Sequence, residues 1–314
     1  MEAIVIPETA CEPTSEQKWV RSSLRKLSRR ITQVGHPASP PTISRLLKKL
    51  GYSLKANVKK KAGKDHPDRD EQFGYIQIQK QSFQDAGLPI ISVDTKKKEL
   101  IGNFKNAGQS WCRDAEVVNV HDFPQDALGR AVPYGIYELN SNHGSVYVGT
   151  SADTPQFAVE AIARWWRDEG KANYPDADRL LILADSGGSN SSRSWVWKWQ
   201  LQEQLSDRFG LKVTVCHYPT GCSKWNPIEY RLFSHISHNW LGKPLRTLGT
   251  MLAYIRGTTT TTGLTVKAFL VEGVYEKGQR VTDGVIENLN LERHKICPNW
   301  NYTIRPHLDV AYGT

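Results

Sequence analysis

The sequence predicts an α/β protein in which a mixed β-sheet with flanking helices follows a basic, helical N-terminal region. Three observations support this fold class. After Pro89, short apolar segments typical of strands alternate with amphipathic segments typical of helices. Residues 17–64 contain fourteen Lys or Arg and no Asp or Glu. Acidic residues stand at the ends of predicted elements, at Asp94, Asp185 and Glu229.

The basic region contains the pattern of two short helices. From Glu16 to Val34, apolar residues recur at the three- and four-residue spacing of one buried helix face. A second helix is predicted over residues 40–50, because Ser39 can cap it, prolines suit its first turn and Gly51 suits its end. Two short helices with a tight break are typical of a helix-turn-helix; a basic helical hairpin with another role is the alternative.

The distribution of charge indicates a partner for this region. The whole chain has 41 Lys or Arg and 32 Asp or Glu, so the part outside residues 17–64 has 27 basic and 32 acidic residues. Such a separation is typical of a module that binds a polyanion such as double-stranded DNA, whereas a merely solvated basic surface is the alternative. The predicted DNA contacts are the polar residues of the second helix, Thr42, Ser44, Arg45, Lys48 and Lys49.

The composition argues against a membrane protein or a secreted protein. No run of about 18 apolar residues is present, so no membrane span is expected. The first residues, MEAIVIPETACEPTS, lack the basic start and apolar stretch of a secretory signal. Five scattered cysteines suit free thiols in a reducing compartment, and we therefore expect a cytoplasmic protein.

The elements after the basic region follow in a clear order. A linking helix is predicted over residues 65–88, with Asp65 and Pro67 at its start and Gly87 at its end. The next elements are the strand PIISVDT, the hairpin strands PYGIYEL and GSVYVGT, a helix over residues 154–170, the strand RLLILAD, the helix SSRSWVWKWQLQEQLSDRFG, the strand LKVTVCHYP and a helix that starts near Asn226-Pro227. This order predicts a mixed sheet with helices on its faces.

Three carboxylates are candidates for the catalytic site. Asp94 and Asp185 end two of the predicted strands, and ligand sites of α/β sheets gather at strand ends. If these strands are neighbours, the two acids face each other, and Glu229 reaches the same place from its helix. Taken alone, Glu229 is better explained as a first-turn capping residue than as a metal ligand. Three carboxylates in one place repel each other, and hard oxygen ligands favour Mg²⁺ or Mn²⁺ as the compensating cation.

Other residues near these acids are candidates for support. Asn190, His217 and Asn226 are possible active-site support, and Lys224 is a possible DNA contact. A satisfied structural histidine explains His217 equally well, and a strand-to-helix turn equally explains the glycine-containing loop that carries Asn190. Trp225 is interpreted as a packing residue in preference to a base contact.

Longer motifs resemble one transposase family. SKWNPIEYRLF looks like the Asn-Pro-Ile-Glu motif at the third acid of mariner-like enzymes. The strings SVDTKKKELIGNFKNAGQSW, LADSGGSNSSRSWVWKWQLQ, HYPTGCSKWNPIEYRLFSHISHNW and CPNWNYTIRP are similar to the ISAzo-type DDE transposases of bacterial insertion sequences, as is TISRLLKKLGYSLKANVKKKAGKDHPDRDEQF. The resemblance extends from about residue 14 to the C-terminus.

The resemblance implies a fold, an activity and partners. It implies an RNase H-like catalytic domain in which Asp94, Asp185 and Glu229 are the catalytic acids and hold two Mg²⁺ ions, with Mn²⁺ as a possible substitute. The implied activity is cleavage of transposon ends and joining of the 3′-OH to target DNA. The implied partners are the terminal repeats, the target DNA and further copies of the chain, on the bacterial nucleoid.

The resulting organisation has four parts. Residues 1–64 are the predicted helix-turn-helix region, 65–88 the linking helix, 89–243 the catalytic domain and 244–314 a C-terminal extension packed on it. Two other functions remain as alternatives. A structure-selective RNase H-like nuclease would use the same metal chemistry, although it has little use for base readout. A regulator derived from a transposase would bind DNA without catalysis.

Overall fold

The chain forms two compact units, Met1–Ala62 and Gly63–Thr314. The structure, a computed structural model, describes residues 9–11, 18–20, 22–54, 66–110 and 112–307. The first unit contains a two-stranded antiparallel ribbon and two helices. These are β1 (Thr9–Cys11), β2 (Lys18–Val20), α1 (Leu24–Gln33) and α2 (Pro40–Lys49).

The two helices of the first unit pack through a small apolar core. Leu27 and Ile31 of α1 meet Ile43 of α2, and all three are buried. The hydroxyl of Ser28 donates to the carbonyl of Ala38 at 2.6 Å and ties the connection to α1. The second helix lies where the sequence predicts it, although of its expected apolar face only Ile43 is buried.

The start of the first helix differs from the prediction. Within the stretch predicted as helical from Glu16, residues 18–20 form a strand, and α1 begins only at Leu24. The reason is local. The Ser23 side chain accepts a hydrogen bond from the Lys26 N–H and caps the helix there, and residues 18–20 pair with β1. The ribbon is an element that the expectation of an all-α region did not include.

The second unit contains nine strands and the helices that cover them among its described residues. In chain order they are α3 (Arg69–Asp85), β3 (Ile90–Thr95), β4 (Glu99–Ile101), β5 (Gly129–Glu138), β6 (His143–Gly149), α4 (Pro155–Trp165), β7 (Arg179–Asp185), α5 (Trp195–Leu201), β8 (Lys212–Tyr218), α6 (Ser234–Asn239), α7 (Leu248–Arg256), β9 (Thr265–Val271), α8 (Asp283–Glu287), β10 (Leu291–Arg293) and β11 (Asn301–Ile304). Three π-helical turns extend these helices: Trp166–Gly170 after α4, Gln202–Asp207 after α5 and Glu229–Phe233 before α6.

All nine strands form one mixed sheet. The order is β10-β11-β8-β7-β3-β5-β6-β9, and β4 pairs with β5 outside this path. β3, β7 and β8 run parallel, whereas β3–β5 and β5–β6 are antiparallel. This confirms the predicted α/β fold class, a mixed sheet with flanking helices. β9 and β11, which belong to the predicted C-terminal extension, are paired members of the same sheet.

Helices cover both faces of the sheet. Alternate residues of each strand point to opposite faces, so each strand contributes side chains to the packing on both sides. Val93 and its same-face neighbours pack against α4 and α5 in one core cluster. Ile90, on the other face, packs against α3 with Ile76 and Phe83. A third cluster joins β5, β6 and β9 to α6 and α7. The three-layer arrangement places the carboxyl ends of β3 and β7 at one edge.

The linking helix is shorter than predicted. The linking helix begins at Arg69 and ends at Asp85, inside the predicted 65–88, and its proposed cap Asp65 lies outside the described residues. No helix of the described residues is both long enough and apolar enough to cross a membrane.

Candidate active site

Two of the predicted acids stand at the ends of neighbouring parallel strands. In the β3–β7 register Val93 pairs with Ala184, so Asp94 and Asp185 each follow directly after this last pair. The two strands are therefore neighbours, which is the condition under which the sequence places Asp94 and Asp185 side by side. Both carboxyl groups are partly buried. A cleft of about 370 Å³ is lined by both acids, by Asp153 and by the loop after Asp185.

Glu229 is held beside the strands by its own segment. The Ile228 N–H donates to the Ser92 hydroxyl at 2.9 Å, and Glu229 is the first residue of the π-helical turn that leads into α6. Gly135 makes room for this segment, since a Cβ there would lie 2.5 Å from Phe233 and 2.9 Å from Ile228. Gly135 is also the partner of Asp94 in the β3–β5 register.

The structure does not support the capping interpretation of Glu229. A capping glutamate at this place would accept from the Asn226 N–H, but that N–H donates to the Ser223 carbonyl at 2.8 Å. Asp94, Asp185 and Glu229 also form no ion pair with a lysine or arginine in the described part of the chain. No salt bridge of the described residues therefore neutralises these three carboxylates.

The electrostatics of the three acids are those of a crowded anionic site. Burial, and then the charge of Asp185, raises the pKa of Asp94 to about 8, although the Thr95 N–H donates to it at 2.7 Å. Burial and the charge of Glu229 raise the pKa of Asp185 to about 6. Burial raises the pKa of Glu229, and the positive charge of Lys96 opposes this. Mutual repulsion of this kind is relieved by protons or by a cation.

Asn226 connects the acids to one another. Its amide donates to the carbonyl of Val93 at 3.2 Å and to the carboxylate of Asp185 at 3.5 Å, and its side-chain oxygen accepts from Ser92 at 2.5 Å. The residue is fully buried. We therefore place Asn226 beside all three acids, as a residue that fixes the relative position of β3, β7 and the Glu229 segment.

Asn190 lies behind the cleft. It is buried, and its side-chain oxygen accepts from the Tyr134 hydroxyl at 2.8 Å, while its amide nitrogen has no hydrogen-bond partner among the described residues. The loop before it turns at Gly188, whose φ of +63° suits glycine. A supporting role of Asn190 in the active site stays a prediction.

His217 is buried and does not face the cleft. Its Nδ1–H donates to the Asp185 carbonyl at 2.9 Å, because a carbonyl can only accept, and its Nε2 then accepts from the Tyr302 hydroxyl at 3.0 Å. Trp197 donates to the same Tyr302 oxygen at 2.9 Å. Burial lowers the pKa of His217 to about 4, so the ring is neutral. Its place in the structure fits the alternative of a satisfied structural histidine.

Two charged residues of the site were not predicted from the sequence. Asp153 accepts from the Thr95 hydroxyl at 3.0 Å and pairs with Lys98 at 3.1 Å, and its charge acts on Asp94. Lys96 is buried. Its ammonium nitrogen lies 4.6 Å from the Trp240 ring centroid and 3.3 Å from a carboxylate oxygen of Glu99. The KKK run directly after Asp94-Thr95 was the available signal for Lys96.

The predicted DNA contacts lie on two separate units. In α2, Arg45, Lys48 and Lys49 are exposed, whereas Thr42 and Ser44 are half-buried. Lys224 is exposed in the second unit, and its ammonium lies 5.3 Å from the Trp225 ring centroid. Trp225 packs edge-on against Phe73, as its interpretation as a packing residue predicts, although the residue is 51% exposed.

The donor chemistry of the site suits a divalent cation, but the donors are not gathered into a closed ligand set. Among the described residues, no group of three or more His, Cys, Asp or Glu side chains is arranged to hold a metal ion. Hard carboxylate oxygens with uncompensated charge are nevertheless the donors that Mg²⁺ and Mn²⁺ prefer.

Comparison with known proteins gives a family match over nearly the whole chain. The family described as the Rhodopirellula transposase DDE domain matches residues 1–306. No curated protein matches the sequence.

Solved structures of the Mos1 mariner transposase are similar at low identity. The Mos1 paired-end complex with the left transposon end is 10% identical, covers 74% of this chain and 65% of its own, and has a TM-score of 0.45. The Mos1 strand transfer complex is 10% identical, with coverage of 74% and 64% and a TM-score of 0.44. The chain thus spans about 65% of the length of the Mos1 chain that it matches.

Proposed function

Because the chain belongs to the family of the Rhodopirellula transposase DDE domain, we propose that it cuts transposon ends and joins the freed 3′-OH to target DNA. The observation that carries the proposal is the meeting of Asp94 and Asp185 at the ends of two parallel strands, with Glu229 close enough to raise the pKa of both. A carboxylate set of this kind is typical of phosphodiester chemistry on divalent cations.

Asp94, Asp185 and Glu229 are the residues that would hold the cations, and two Mg²⁺ ions, or Mn²⁺ in their place, are part of the proposal. When bound, the cations supply Lewis acidity and neutralise negative charge on the scissile phosphate. The protein contributes three carboxylates that lack a lysine or arginine partner among the described residues, so cation binding displaces no salt bridge.

The protein's own residues position these carboxylates. Asn226 donates to Asp185 and thereby restrains its rotamer, and the Thr95 N–H does the same for Asp94. The positive charge of Lys96 counteracts the effect of burial on the pKa of Glu229 and so favours the ionised form of Glu229. The exposed Lys97 lines the cleft and offers a positive charge for a DNA phosphate.

The reaction has two steps. In the first, the oxygen of a water attacks phosphorus at the transposon end, the bond from phosphorus to the 3′ oxygen breaks, and that oxygen leaves as a 3′-OH. In the second, this hydroxyl attacks a target phosphodiester, a new bond to phosphorus forms, and the target 3′ oxygen leaves. No bond between the protein and DNA is required.

DNA would be recognised by the first unit. The exposed Arg45, Lys48 and Lys49 of α2 suit binding to duplex terminal repeats, and Lys224 adds a contact near the acids. Two ends must be processed together for an element to move, so a homo-oligomer on DNA is part of the proposal, as is a location on the bacterial nucleoid.

The test is DNA cleavage by three variants of the full chain. Asp94→Asn, Asp185→Asn and Glu229→Gln should each abolish Mg²⁺-dependent cleavage of terminal-repeat DNA and leave DNA binding unchanged. Asp176→Asn, an exposed acid of the same unit, is the matched control. Full cleavage by any of the three variants would reject the site. A wild-type protein that binds DNA but never cuts it would instead favour the non-catalytic regulator.

A further inference from the structure

A second cavity adjoins the candidate active site within the 63–314 unit. It has a volume of about 590 Å³, in the size range of small-ligand sites. The loop after Asp185 separates the two spaces: residues 187–189 line the cleft, whereas Ser186 and residues 191–193 line the cavity. The cleft and the cavity are therefore lined by consecutive parts of one loop.

A buried lysine lines this cavity without a counter-charge. Lys198 is 2% exposed, and its ammonium donates to the carbonyl of Ser192. It lies 5.0 Å from the ring centroid of Trp195 and 5.2 Å from that of Tyr302. No carboxylate of the described residues forms an ion pair with it. Since a buried charge is costly unless it is paired, the arrangement suits an anionic group of a ligand.

Two exposed arginines add positive charge to the same cavity. Arg193 and Arg293 line it, and neither forms an ion pair with another described residue. Arg293 donates to the carbonyl of Pro298 at 3.0 Å, and its guanidinium lies 6.0 Å from the Trp195 ring centroid. The only carboxylate that lines the cavity among the described residues is Asp68. The cavity thus carries an excess of positive charge.

Aromatic rings complete the lining. Trp195 is half-buried, and Trp300 packs against His66 with ring centroids 4.6 Å apart. Cations that follow the phosphates, together with aromatic faces on which bases stack, are the two features of single-strand binding sites. The major groove of a duplex alone is ~12 Å wide, and the whole duplex is wider still. A cavity of about 590 Å³ is therefore too small for a double helix.

We propose that the cavity holds one unpaired nucleotide of a single DNA strand, with its phosphate at Lys198, Arg193 and Arg293 and its base against Trp195. The inference rests on the proposed function, because it gives a place to a strand that leaves the catalytic cleft. It adds a binding site for single-stranded DNA that is separate from the three acids and from α2.

The test uses the full chain and an oligothymidine in which one base is 5-iodouracil, which cross-links to aromatic side chains under light. We expect a cross-link to Trp195, located by mass spectrometry of peptides. The double variant Arg193→Gln/Arg293→Gln should lose this cross-link and bind the oligonucleotide about tenfold more weakly, as expected when charged hydrogen bonds are removed. Both arginines are exposed, so the fold should survive.

Controls separate this site from general charge. Arg208→Gln, an exposed arginine elsewhere in the same unit, should keep the Trp195 cross-link. Thymidine monophosphate should compete for the cross-link better than inorganic phosphate. Cross-links confined to residues 17–64, an unchanged cross-link in the double variant, or equal competition by inorganic phosphate would overturn the proposal.

The outcome is also independent of the catalytic assignment. Intact terminal-repeat cleavage by a wild-type protein that shows no Trp195 cross-link would reject the nucleotide site alone. A cross-link without any cleavage would reject the proposed function and leave the nucleotide site standing.

Discussion

Ser92 and Asn226 lie 134 positions apart in the sequence, and the Ser92 hydroxyl donates a hydrogen bond to the Asn226 side-chain oxygen at 2.5 Å. The same hydroxyl accepts from the Ile228 N–H at 2.9 Å. Both Ser92 and Asn226 are fully buried. This hydrogen bond therefore joins the strand that ends in Asp94 to the segment that carries Glu229, and it fixes two of the three acids relative to each other.

Replacement of Asn226 by alanine should loosen this junction. Asn226→Ala leaves the Ser92 hydroxyl and the Val93 carbonyl without their buried partner, and a group left unsatisfied in this way costs about 1–3 kcal/mol of the unfolding free energy. Urea unfolding measures this decrease, and DNA cleavage should fall with it. Asn239→Ala, an exposed asparagine with one hydrogen bond to Tyr254, should have a smaller effect on both.

A second prediction concerns the close approach at Gly135. In Gly135→Ala the new Cβ would lie 2.5 Å from the Phe233 ring, so the π-helical turn that begins at Glu229 must move. Overpacking of this kind costs about 1–3 kcal/mol. We expect cleavage to decrease more than stability. Gly129→Ala, on the same strand, is the control, because a Cβ there meets no atom of the described residues within 4 Å. Equal activity of the two variants would contradict the prediction.

The strands and the acids could be predicted because both are local signals. β3 has apolar residues at Ile90, Ile91 and Val93, and β7 contains the run LLILA, a composition typical of strands covered on both faces. The acids stand where these runs end. Adjacency of β3 and β7 could be stated only as a condition, because pairing between distant segments depends on tertiary packing.

Other features could not be read from the sequence. Asp153 precedes the helix cap Thr154 and looks like part of a helix start, and only the fold brings it to Thr95. β11 has four residues, and its Tyr302 reaches His217 through the sheet register. The helix start at Leu24 depended on pairing of residues 18–20 with β1, an interaction that helical periodicity does not reveal.

The third prediction concerns α2. Arg45→Ala should weaken binding of terminal-repeat DNA and relax base preference if Arg45 reaches a base edge. Lys48→Ala and Lys49→Ala should weaken binding to all sequences equally and make the salt dependence shallower by ~1 for each lysine–phosphate interaction that is removed. Fluorescence anisotropy across a salt series measures both effects. Lys171→Ala, an exposed lysine of the second unit, should change neither. A DNA affinity that does not change with salt concentration would refute the electrostatic explanation.

The fourth prediction concerns pH. The pKa of Asp94 is 3.8 in its ordinary state and is raised to about 8 in the folded protein. Between these values the folded state binds more protons than the unfolded state, so the unfolding free energy contributed by Asp94 is present at low pH and disappears as the pH rises. Without divalent cations, Tm should therefore fall more steeply towards pH 8 in the wild type than in Asp94→Asn.

The comparison of the wild type with Asp94→Asn measures the titration of this carboxyl together with its interaction with Asp185. The opposite contribution of His217, whose pKa burial lowers to about 4, is common to both proteins. Addition of Mg²⁺ at pH 8 should raise the Tm of the wild type more than that of Asp94→Asn. Parallel Tm profiles for the two proteins would show that Asp94 is not the titrating group.

The fifth prediction concerns Glu229, which has no free Asn226 N–H to cap because that N–H donates to the Ser223 carbonyl. A capping glutamate tolerates glutamine, because the amide still accepts a hydrogen bond. A cation ligand does not, since the change removes the charge. Glu229→Gln should consequently abolish cleavage while Tm stays within a few degrees, or rises because one charge leaves a repelling set.

Glu229→Asp keeps the charge but shortens the side chain by one methylene, and Mg²⁺ tolerates little departure from its ~2.0–2.1 Å shell. That variant should be severely impaired with Mg²⁺ and partly restored by Mn²⁺. Cleavage of transposon ends by Glu229→Gln would mean that another residue is the third ligand.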